Sequence, residues 1–356
     1  MSKAAQLDHG RRTTIADLAT SLGLTKGTVS RALNDYPDIA PCTRLRVRRE
    51  AERMNYRPLG SAQAIRTGRC RALGLVLEMD AHDGHRPFLA EFLAGLSEAA
   101  AAEGWTLTVA TAQPGAALET YRRLIDERKA DGFVLPRTRQ IDPRVTMLRR
   151  AGVPFVLFGR HGDPEGCAWF DIDGAAAMRE AVRILVARGH RRIAYIGGSA
   201  AFTYEGLRAD GFRQGLRDVG IQPTADLIRA DALTRSDGAA AADALLALPE
   251  PPTGIVCAID LAALGVWRAA RTRGLTVGRD IAVIGYDGDP EGVHAEPPLA
   301  TFAVDYRTAG TRLADLLIRR VRGEAPEALR EIAPAQFLDR GSAAARSIES
   351  NGRNDT

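Results

Sequence analysis

Strand-like and helix-like segments alternate from residue 71 to residue 322, and this alternation limits the possible folds more than any other feature of the chain. Runs rich in Leu, Val and Ile predict strands at 72–77, 106–111, 132–135, 155–158, 193–197, 254–259 and 281–286. Ala-rich amphipathic segments predict helices at 88–103, 117–128, 175–188, 205–219, 237–248, 261–273 and 307–322. Such alternation requires parallel sheets with helices on both faces. These strand–helix units are too many for a single sheet. The sequence therefore predicts an α/β core of two lobes, with a passage between them at 169–174.

Residues 14–31 carry a different pattern, in which two short helical segments flank a glycine. Thr14 can cap the first segment, with Asp17 at its third position, and Gly23 suits a left-handed helix end. Thr25 can cap the second segment, which begins almost at once. This arrangement predicts a helix-turn-helix whose second helix presents polar side chains to DNA. The alternative is a helical hairpin that only packs against another part of the protein.

Basic residues are concentrated at the N-terminal end. Residues 1–71 contain 14 Lys and Arg against 6 Asp and Glu, a net charge of +8, whereas the whole chain carries +4. The remaining residues therefore have a net charge of −4. A basic end on a mildly acidic body indicates DNA contact confined to that end, because phosphates attract Lys and Arg.

The segments around these two patterns complete the organisation. Thr43 is predicted to cap a third helix, which Pro58 ends. Residues 59–68 are too few for a stable isolated helix and predict a hinge that becomes helical against a partner. Residues 1–12 lack a periodic pattern and predict a mobile arm, and the polar residues 341–356 predict a disordered tail.

Several other functions have little support in the sequence. The chain has no run of 18 apolar residues and no signal pattern, so we expect a cytoplasmic, nucleoid-associated protein. The four cysteines are widely scattered and are expected to be reduced thiols. His82 and His85 lie in a loop without a fixed scaffold, so no metal site is predicted. No cofactor motif or catalytic constellation is present, and the chain is not expected to be an enzyme.

Short motifs follow one another in a fixed order along most of the chain. They are Thr14–Asn34, Asn55-Tyr56 with Pro58, Ala62–Ile65, Arg86–Phe88, Leu157–Arg160, Gly189–Gly198, Arg208–Phe212, Val283–Asp287, Pro297–Leu299 and Thr301. In this ordered set, the chain resembles the lactose-repressor (LacI/GalR) family of bacterial transcription regulators, from residue 13 to residue 340. The motifs at 86–88 and 157–160 are similar to those of its sugar-responsive branch.

The resemblance implies a fold and a division into domains. An all-α helix-turn-helix domain (13–58) and a hinge helix or linker (59–70) precede an effector-binding and dimerisation core (71–340). The core is expected to be periplasmic-binding-protein-like, with two Rossmann-like lobes and a ligand cleft between them. The lobes would comprise 71–170 plus 303–332 and 171–300 plus 335–340. Three crossovers would join them near Phe170, Thr301 and Pro334.

The resemblance also implies how this chain reads DNA, as a homodimer or higher oligomer on a palindromic operator. The base-reading positions fall on Lys26, Gly27 and Arg31, although Gly27 has no side chain with which to read a base. Ile65 matches a wedge that enters the minor groove, and an apolar residue that packs on the core is its alternative. The expected DNA contacts also include Thr14, Thr25, Thr28, Ser30, Asn34, Tyr56, Ala62 and Arg66.

The effector is expected to be a sugar or glycoside, with a purine-like or other non-sugar corepressor as the alternative. Arg208 and Asp287 match the family's effector-binding arginine and acid, and an ion pair within the core is the alternative for both. Ile259, before Asp260, replaces a common Asn, and Leu233 stands where some members have an aromatic residue. Both changes make the pocket more apolar. The expected effector contacts are Phe88, Arg137, Arg160, Arg208, Leu233, Asp260 and Asp287.

The implied function is that of a ligand-responsive, sequence-specific repressor. Two further classes are weighed against it, a small-molecule binding protein without DNA function and an α/β enzyme that uses the same cleft. The basic N-terminal end opposes the first, and the absence of a catalytic constellation opposes the second. The sequence leaves open whether the effector induces or corepresses.

Overall fold

The computed structural model describes residues 13–56, 68–78 and 87–345, and the chain divides into two units, Met1–Cys70 and Arg71–Thr356. Several predictions fall outside the described residues. They concern the arm at 1–12, most of the hinge with Ala62, Ile65 and Arg66, the loop with His82 and His85, and residues 346–356. Each unit is considered by itself below.

The first unit contains three helices, α1 (Ile15–Leu22), α2 (Lys26–Leu33) and α3 (Pro41–Arg53). The start of α1 has the predicted capping box, in which Thr14 and Asp17 bond each other's backbone amides, and its end has Gly23 at φ 65°. The helices pack around a small core of Leu18, Ala19, Val29, Ala32, Val47 and Ala51. The predicted helix-turn-helix is therefore present.

The start of α3 differs from the prediction. Thr43 was expected to cap this helix, but the helix begins at Pro41 and its N-cap residue, Ala40, makes no side-chain cap hydrogen bond. Proline suits the first helical position because its ring fixes φ and it lacks the amide that would remain unpaired there. Thr43 consequently lies inside the first turn.

The first lobe of the core is a six-stranded parallel sheet in the order β11-β5-β4-β3-β1-β2. Its strands are β1 (Ala72–Glu78), β2 (Thr106–Ala112), β3 (Gly132–Leu135), β4 (Phe155–Phe158), β5 (Ala168–Ile172) and β11 (Arg330–Ala333). Its helices are α4 (Pro87–Ala102), α5 (Ala117–Asp126), α6 (Pro143–Ala151) and α11 (Tyr306–Val321). We call this the N-lobe.

The second lobe, the C-lobe, has a six-stranded sheet in the order β12-β10-β9-β8-β6-β7, parallel except for β12. Its strands are β6 (Ile193–Ile196), β7 (Ile228–Arg229), β8 (Gly254–Cys257), β9 (Ala282–Asp287), β10 (Ala300–Ala303) and β12 (Gln336–Leu338). Its helices are α7 (Gly174–Ala187), α8 (Thr203–Asp218), α9 (Arg235–Leu246) and α10 (Asp260–Thr272). The predicted two-lobed α/β core is confirmed.

The chain passes between the lobes after β5, after β10 and between β11 and β12. The first two passages were expected near Phe170 and Thr301. Both strands continue further, to Ile172 and Ala303, because their backbones pair with β11 and β9 up to those residues. The third passage contains Pro334, as predicted.

The first residues of the predicted tail, 341–345, are ordered. Ser342 and Ala343 are fully buried in the C-lobe. The Ser342 hydroxyl donates to the Val283 carbonyl at 2.7 Å and accepts from the Ala300 amide at 2.8 Å. The prediction of disorder from residue 341 is therefore wrong at its start, because a small polar side chain here satisfies backbone groups of two strands.

Paired helices approach each other through glycines. A methyl group at Gly95 of α4 would lie 2.0 Å from the Arg307 carbonyl oxygen, and one at Gly238 of α9 would lie 2.1 Å from that of Ala262. Such distances leave no room for a side chain, so these helices contact backbone to backbone. Within the described residues, no helix is long and apolar enough to cross a membrane.

Candidate functional site

A cavity of about 350 Å³ lies between the two lobes. Its walls include residues that end or follow strands of both sheets, among them Glu78, Gly159, Ile259 and Asp287. Ligands of open parallel sheets bind outside the carboxyl ends of the strands. The volume is at the lower end of the range of about 300–1,000 Å³ for small-molecule sites. The cavity therefore suits a ligand as small as a sugar.

Arg208 of α8 is the cation at the C-lobe side of the cavity. Its guanidinium carbon lies 4.6 Å from the centre of the Tyr204 ring and 3.7 Å from that of Tyr286. Its Nη1 donates to the Ala258 carbonyl at 2.6 Å. This bond uses one of the five N–H groups of the guanidinium, and because Arg208 lines the cavity, further donors remain for a ligand.

Asp287 lies at the end of β9, with its Oδ1 3.9 Å from Nη2 of Arg208. Burial raises the pKa of Asp287 to about 6, although the positive charge of Arg208 opposes this shift. The hydroxyl of Tyr306, at the start of α11 in the N-lobe, donates to Oδ1 of Asp287 at 3.0 Å. This hydrogen bond joins the two lobes at the cavity wall.

The backbone of Asp287 is held in an uncommon conformation. Its φ of 120° is one that side-chain-bearing residues rarely adopt. The next two amides, of Gly288 and Asp289, donate to Oδ2 of Asp260 at 2.9 and 2.8 Å. The hydroxyl of Thr301 donates to Oδ1 of Asp260 at 2.8 Å. Asp260 thus fixes the segment that presents Asp287 to the cavity.

Two further carboxylates line the N-lobe side of the cavity, those of Glu78 and Asp171. Nη2 of Arg139 lies 3.1 Å from Oε2 of Glu78. Nε of Arg160 donates to Oδ2 of Asp171 at 2.6 Å. Burial nevertheless raises the pKa of Asp171, since desolvation outweighs the charge of Arg160.

The loop between β3 and α6 reaches from the N-lobe to the C-lobe. The carbonyl of Thr138 accepts from the Thr203 amide at 2.9 Å, and Arg139 forms an antiparallel bridge with Phe202. Arg144 stabilises this loop, because it donates to the carbonyls of Pro136 and Arg137 and pairs with Asp142. The loop is therefore a second direct connection between the lobes.

The structure brings three of the predicted effector residues to the cavity, Arg137, Arg208 and Asp287. Arg137 lies over the Phe202 ring, 5.0 Å from its centre. Arg160 does not line the cavity itself, but it donates to Asp171, which does. Phe88 lies in the first turn of α4, and its side chain is outside the described part of the chain.

Two predicted effector residues need correction. Asp260 is 1% exposed and is bonded to Gly288, Asp289 and Thr301, so its carboxylate is already used inside the C-lobe. Leu233 precedes α9, where its amide donates to Asp237, and it does not line the cavity. Ile259 does line the cavity, in agreement with the expected loss of a polar contact.

Sequence reasoning missed several residues that line the cavity. They are Glu78, Arg139, Asp171, Phe202, Tyr204 and Tyr306. Glu78 comes directly after a predicted strand, which is a usable signal because such positions meet at the ligand edge of a parallel sheet. The aromatic residues carry no comparable signal, since Phe and Tyr at helix starts usually pack in the core.

The helix-turn-helix forms the second candidate site. Lys26, Gly27 and Arg31 are exposed on α2, as base-reading positions require. Several of the predicted DNA contacts also have local roles. Thr25 caps α2 by accepting from the Thr28 amide at 3.1 Å, Asn34 donates to the Ser30 carbonyl at 2.6 Å, and Tyr56 packs at the edge of the small core.

Comparison with known proteins adds independent information. Residues 14–58 match the family described as bacterial regulatory proteins, lacI family, and residues 182–343 match the periplasmic binding protein-like domain. The chain is 34% identical to the HTH-type transcriptional regulator AglR of Rhizobium meliloti, over 92% of this chain and 93% of AglR. It is 32% identical to the HTH-type transcriptional regulator RafR of Escherichia coli, over 88% of this chain and 93% of RafR.

A solved structure, the complex of the transcriptional regulator CelR with cellobiose, is also similar. It shares 30% sequence identity with this chain and superposes with a TM-score of 0.72. The similarity covers 93% of this chain and 100% of that one. The match therefore includes both the helical unit and the two-lobed core.

Proposed function

Because this chain belongs to the LacI family of bacterial regulatory proteins, we propose that it represses transcription from a palindromic operator under the control of a sugar bound between its lobes. The protein acts as a homodimer, whose two-fold symmetry matches that of the operator. One observation supports this most directly: a chain with a helix-turn-helix also has a cavity between its lobes that Arg208 and Asp287 line.

The chemistry of the cleft favours a neutral sugar of one or two rings. Three carboxylates, of Glu78, Asp171 and Asp287, can accept hydrogen bonds from hydroxyl groups, and Arg208 can donate one. Aromatic side chains that line the cavity without being fully buried, including Phe158 and Tyr306, offer apolar surface to a sugar ring. The relative CelR was solved with cellobiose, a disaccharide, in agreement with this class.

The DNA contacts are proposed to follow the exposed face of α2. Lys26 and Arg31 can each donate to O6 and N7 of guanine in the major groove. Gly27 offers no side chain, so the other two carry most of the base reading in that groove. Thr25, Thr28 and Ser30 would set the register on the phosphates. The minor-groove roles of Ile65 and Arg66 stay predictions.

Control by the effector is proposed to be a shift between two arrangements of the lobes. The sugar would favour the arrangement that it binds more tightly, and the hinge at 59–70 would respond. Tyr306 and Asp287 join the lobes by one hydrogen bond, and Thr203 and Thr138 join them by another. Ligand contacts to these groups would therefore differ between the two arrangements.

Selection of DNA followed by a ligand screen tests the proposed function. The purified protein is expected to enrich a palindromic duplex from a random-sequence pool. A panel of mono- and disaccharides, with nucleobases as the alternative class, is then screened by calorimetry. One sugar is expected to change the operator dissociation constant at least about tenfold, which is about 1.4 kcal/mol of coupling. Enrichment of no sequence, or turnover of the sugar, would contradict the proposal.

The affinity for the sugar is expected to depend on pH. Asp287 has a pKa of about 6, and a sugar hydroxyl that donates to its carboxylate favours the ionised form. Protonation therefore weakens binding, and affinity should rise as pH increases from 5 to 7. If the sugar lowers this pKa by about one unit, the rise in affinity is about fivefold.

Calorimetry across this pH range measures the affinity. Asp287→Asn should bind the sugar weakly, with an affinity that does not change with pH. A flat profile in the unmodified protein would count against a direct contact.

A further inference from the structure

The cavity between the lobes opens to solvent beside Arg137. Among the described residues that line the cavity, only Pro114 and Arg137 are exposed, and the others are half-buried or buried. Pro114 lies in the loop that follows β2, and Arg137 lies in the loop between β3 and α6. These two residues therefore mark the mouth of the cavity.

The side chain of Arg137 reaches from the N-lobe to the C-lobe at this mouth. Its guanidinium carbon lies 5.0 Å from the centre of the Phe202 ring, and Phe202 directly precedes α8. A guanidinium over the face of an aromatic ring is attracted to it. The adjacent backbone also joins the lobes, since the Thr138 carbonyl accepts from the Thr203 amide at 2.9 Å.

Phe202 is supported on its other side by a stack of planar groups. Its ring centre lies 5.7 Å from that of Tyr204, with an angle of 10° between the two planes. Tyr204 in turn lies 4.6 Å from the guanidinium carbon of Arg208. The ring of Phe202 is therefore held between Arg137 and Tyr204. Arg137, in contrast, is exposed, and an exposed side chain can turn into solvent within nanoseconds.

We propose that Arg137 and Phe202 form a gate, which closes the mouth of the cavity while the guanidinium lies on the ring and opens when Arg137 turns into solvent. A cation–π contact shifts an equilibrium by about 2- to 30-fold, depending on how far it is desolvated. Entry into the cavity is slowed by about this factor, because a molecule passes only while the stack is broken.

The gate is expected to set rates rather than affinities. The stack consists of protein groups only, so it forms both before and after a molecule has entered, and it is broken only during passage. Its loss should therefore speed entry and release equally, and a contact common to both end states does not change the dissociation constant. That the entering molecule is a sugar rests on the proposed function, whereas the gate itself does not.

Labelling of a thiol inside the cavity tests the gate without a sugar. Val304 lines the cavity, and its amide donates to the carbonyl of Asp287, which lies beside Arg208 and away from Arg137. Val304→Cys introduces a thiol there with little change in size. The reagent is N-ethylmaleimide, which is neutral and comparable in size to a sugar ring. Peptide mass spectrometry follows modification at position 304 in the full-length protein.

Arg137→Gln and Phe202→Leu, each combined with Val304→Cys, are expected to raise the labelling rate by about 2- to 30-fold. Both together should give the rate of the faster one, because both remove the same contact. Cys257, which is fully buried, should stay unmodified in every variant and so reports that the C-lobe remains folded.

Arg139→Gln is the matched control. It removes the same charge from the same loop, but the side chain of Arg139 pairs with Glu78 of its own lobe rather than with a ring of the other. Since a partly exposed ion pair contributes little, the labelling rate should change less than about 1.5-fold.

An unchanged rate in Arg137→Gln or in Phe202→Leu would overturn the gate. Rates that multiply when the two are combined would also overturn it, because the side chains would then act separately. So would an equal increase in Arg139→Gln, or modification of Cys257 together with the introduced thiol. Failure of the proposed function is seen elsewhere, as enrichment of no duplex, and leaves this labelling result unaffected because neither DNA nor sugar is present.

Discussion

Replacement of Arg208 with lysine is expected to weaken sugar binding about 10- to 150-fold and to leave operator binding without sugar unchanged. Arg208 is stacked between Tyr204 and Tyr286, and it lines the cavity. Lysine has a point charge that cannot stack as a plane, and it lacks the second edge of the guanidinium. A lost hydrogen bond to a charged group costs about 1.5–3 kcal/mol, which gives the expected range. Calorimetry with the sugar found in the screen measures the effect.

Arg213→Lys is the matched control. Arg213 lies on the same helix, α8, but its Nη1 donates to Asp210 on the surface. This substitution should change sugar affinity less than about twofold, because exposed ion pairs contribute little. Unchanged sugar affinity in Arg208→Lys would show that Arg208 only supports the C-lobe. Loss of operator binding in Arg208→Lys would show that the substitution damages more than the cleft.

Replacement of Asp260 with alanine is expected to destabilise the core by at least about 3 kcal/mol, because three donors lose their acceptor and each unsatisfied buried donor costs at least about 1 kcal/mol. The donors are the amides of Gly288 and Asp289 and the hydroxyl of Thr301. Urea unfolding followed by circular dichroism measures the loss. A change below about 1 kcal/mol would contradict the role assigned to Asp260.

Asp260→Asn tests how much the hydrogen bonds of this residue contribute to stability when its charge is absent. Burial raises the pKa of Asp260 to about 7, with the charge of Asp287 adding to this shift, so a neutral side chain is a close substitute near neutral pH. The amide oxygen can accept from both backbone amides, and the amide nitrogen can donate to Thr301. We expect a loss below about 1.5 kcal/mol. Sugar affinity should also survive in Asp260→Asn, since the amides that follow Asp287 stay fixed.

The sequence predicts those features that depend on local spacing. The capping box of Thr14 and Asp17 and the turn at Gly23 follow from neighbouring residues, and the structure confirms them. The alternation of strands and helices likewise predicts the two-lobed core. The short strands β5 and β7 were missed because they lack the continuous apolar runs that predicted β3 and β4, which are equally short. Helix α6 was missed because its polar sequence shows little amphipathic pattern.

The features that escaped prediction depend on residues far apart in the chain. Asp260 was expected in the cleft from the family resemblance, yet its partner Thr301 lies 41 residues further on. Burial of Ser342 depends on Val283 and Ala300, which no local pattern connects to it. The pairing of Arg31 with Asp38 spans seven residues and a turn, so helical spacing does not reveal it.

The passages between the lobes have a consequence for synthesis on the ribosome. The N-lobe sheet needs β11 and the C-lobe needs β12 and Ser342, so each lobe takes an essential segment from the last part of the chain. The helical unit, in contrast, uses only contiguous residues near the N-terminus. Domains fold as their residues emerge from the ribosome. The DNA-reading unit is therefore complete early in translation, whereas both lobes, and the cleft between them, become complete almost together at its end.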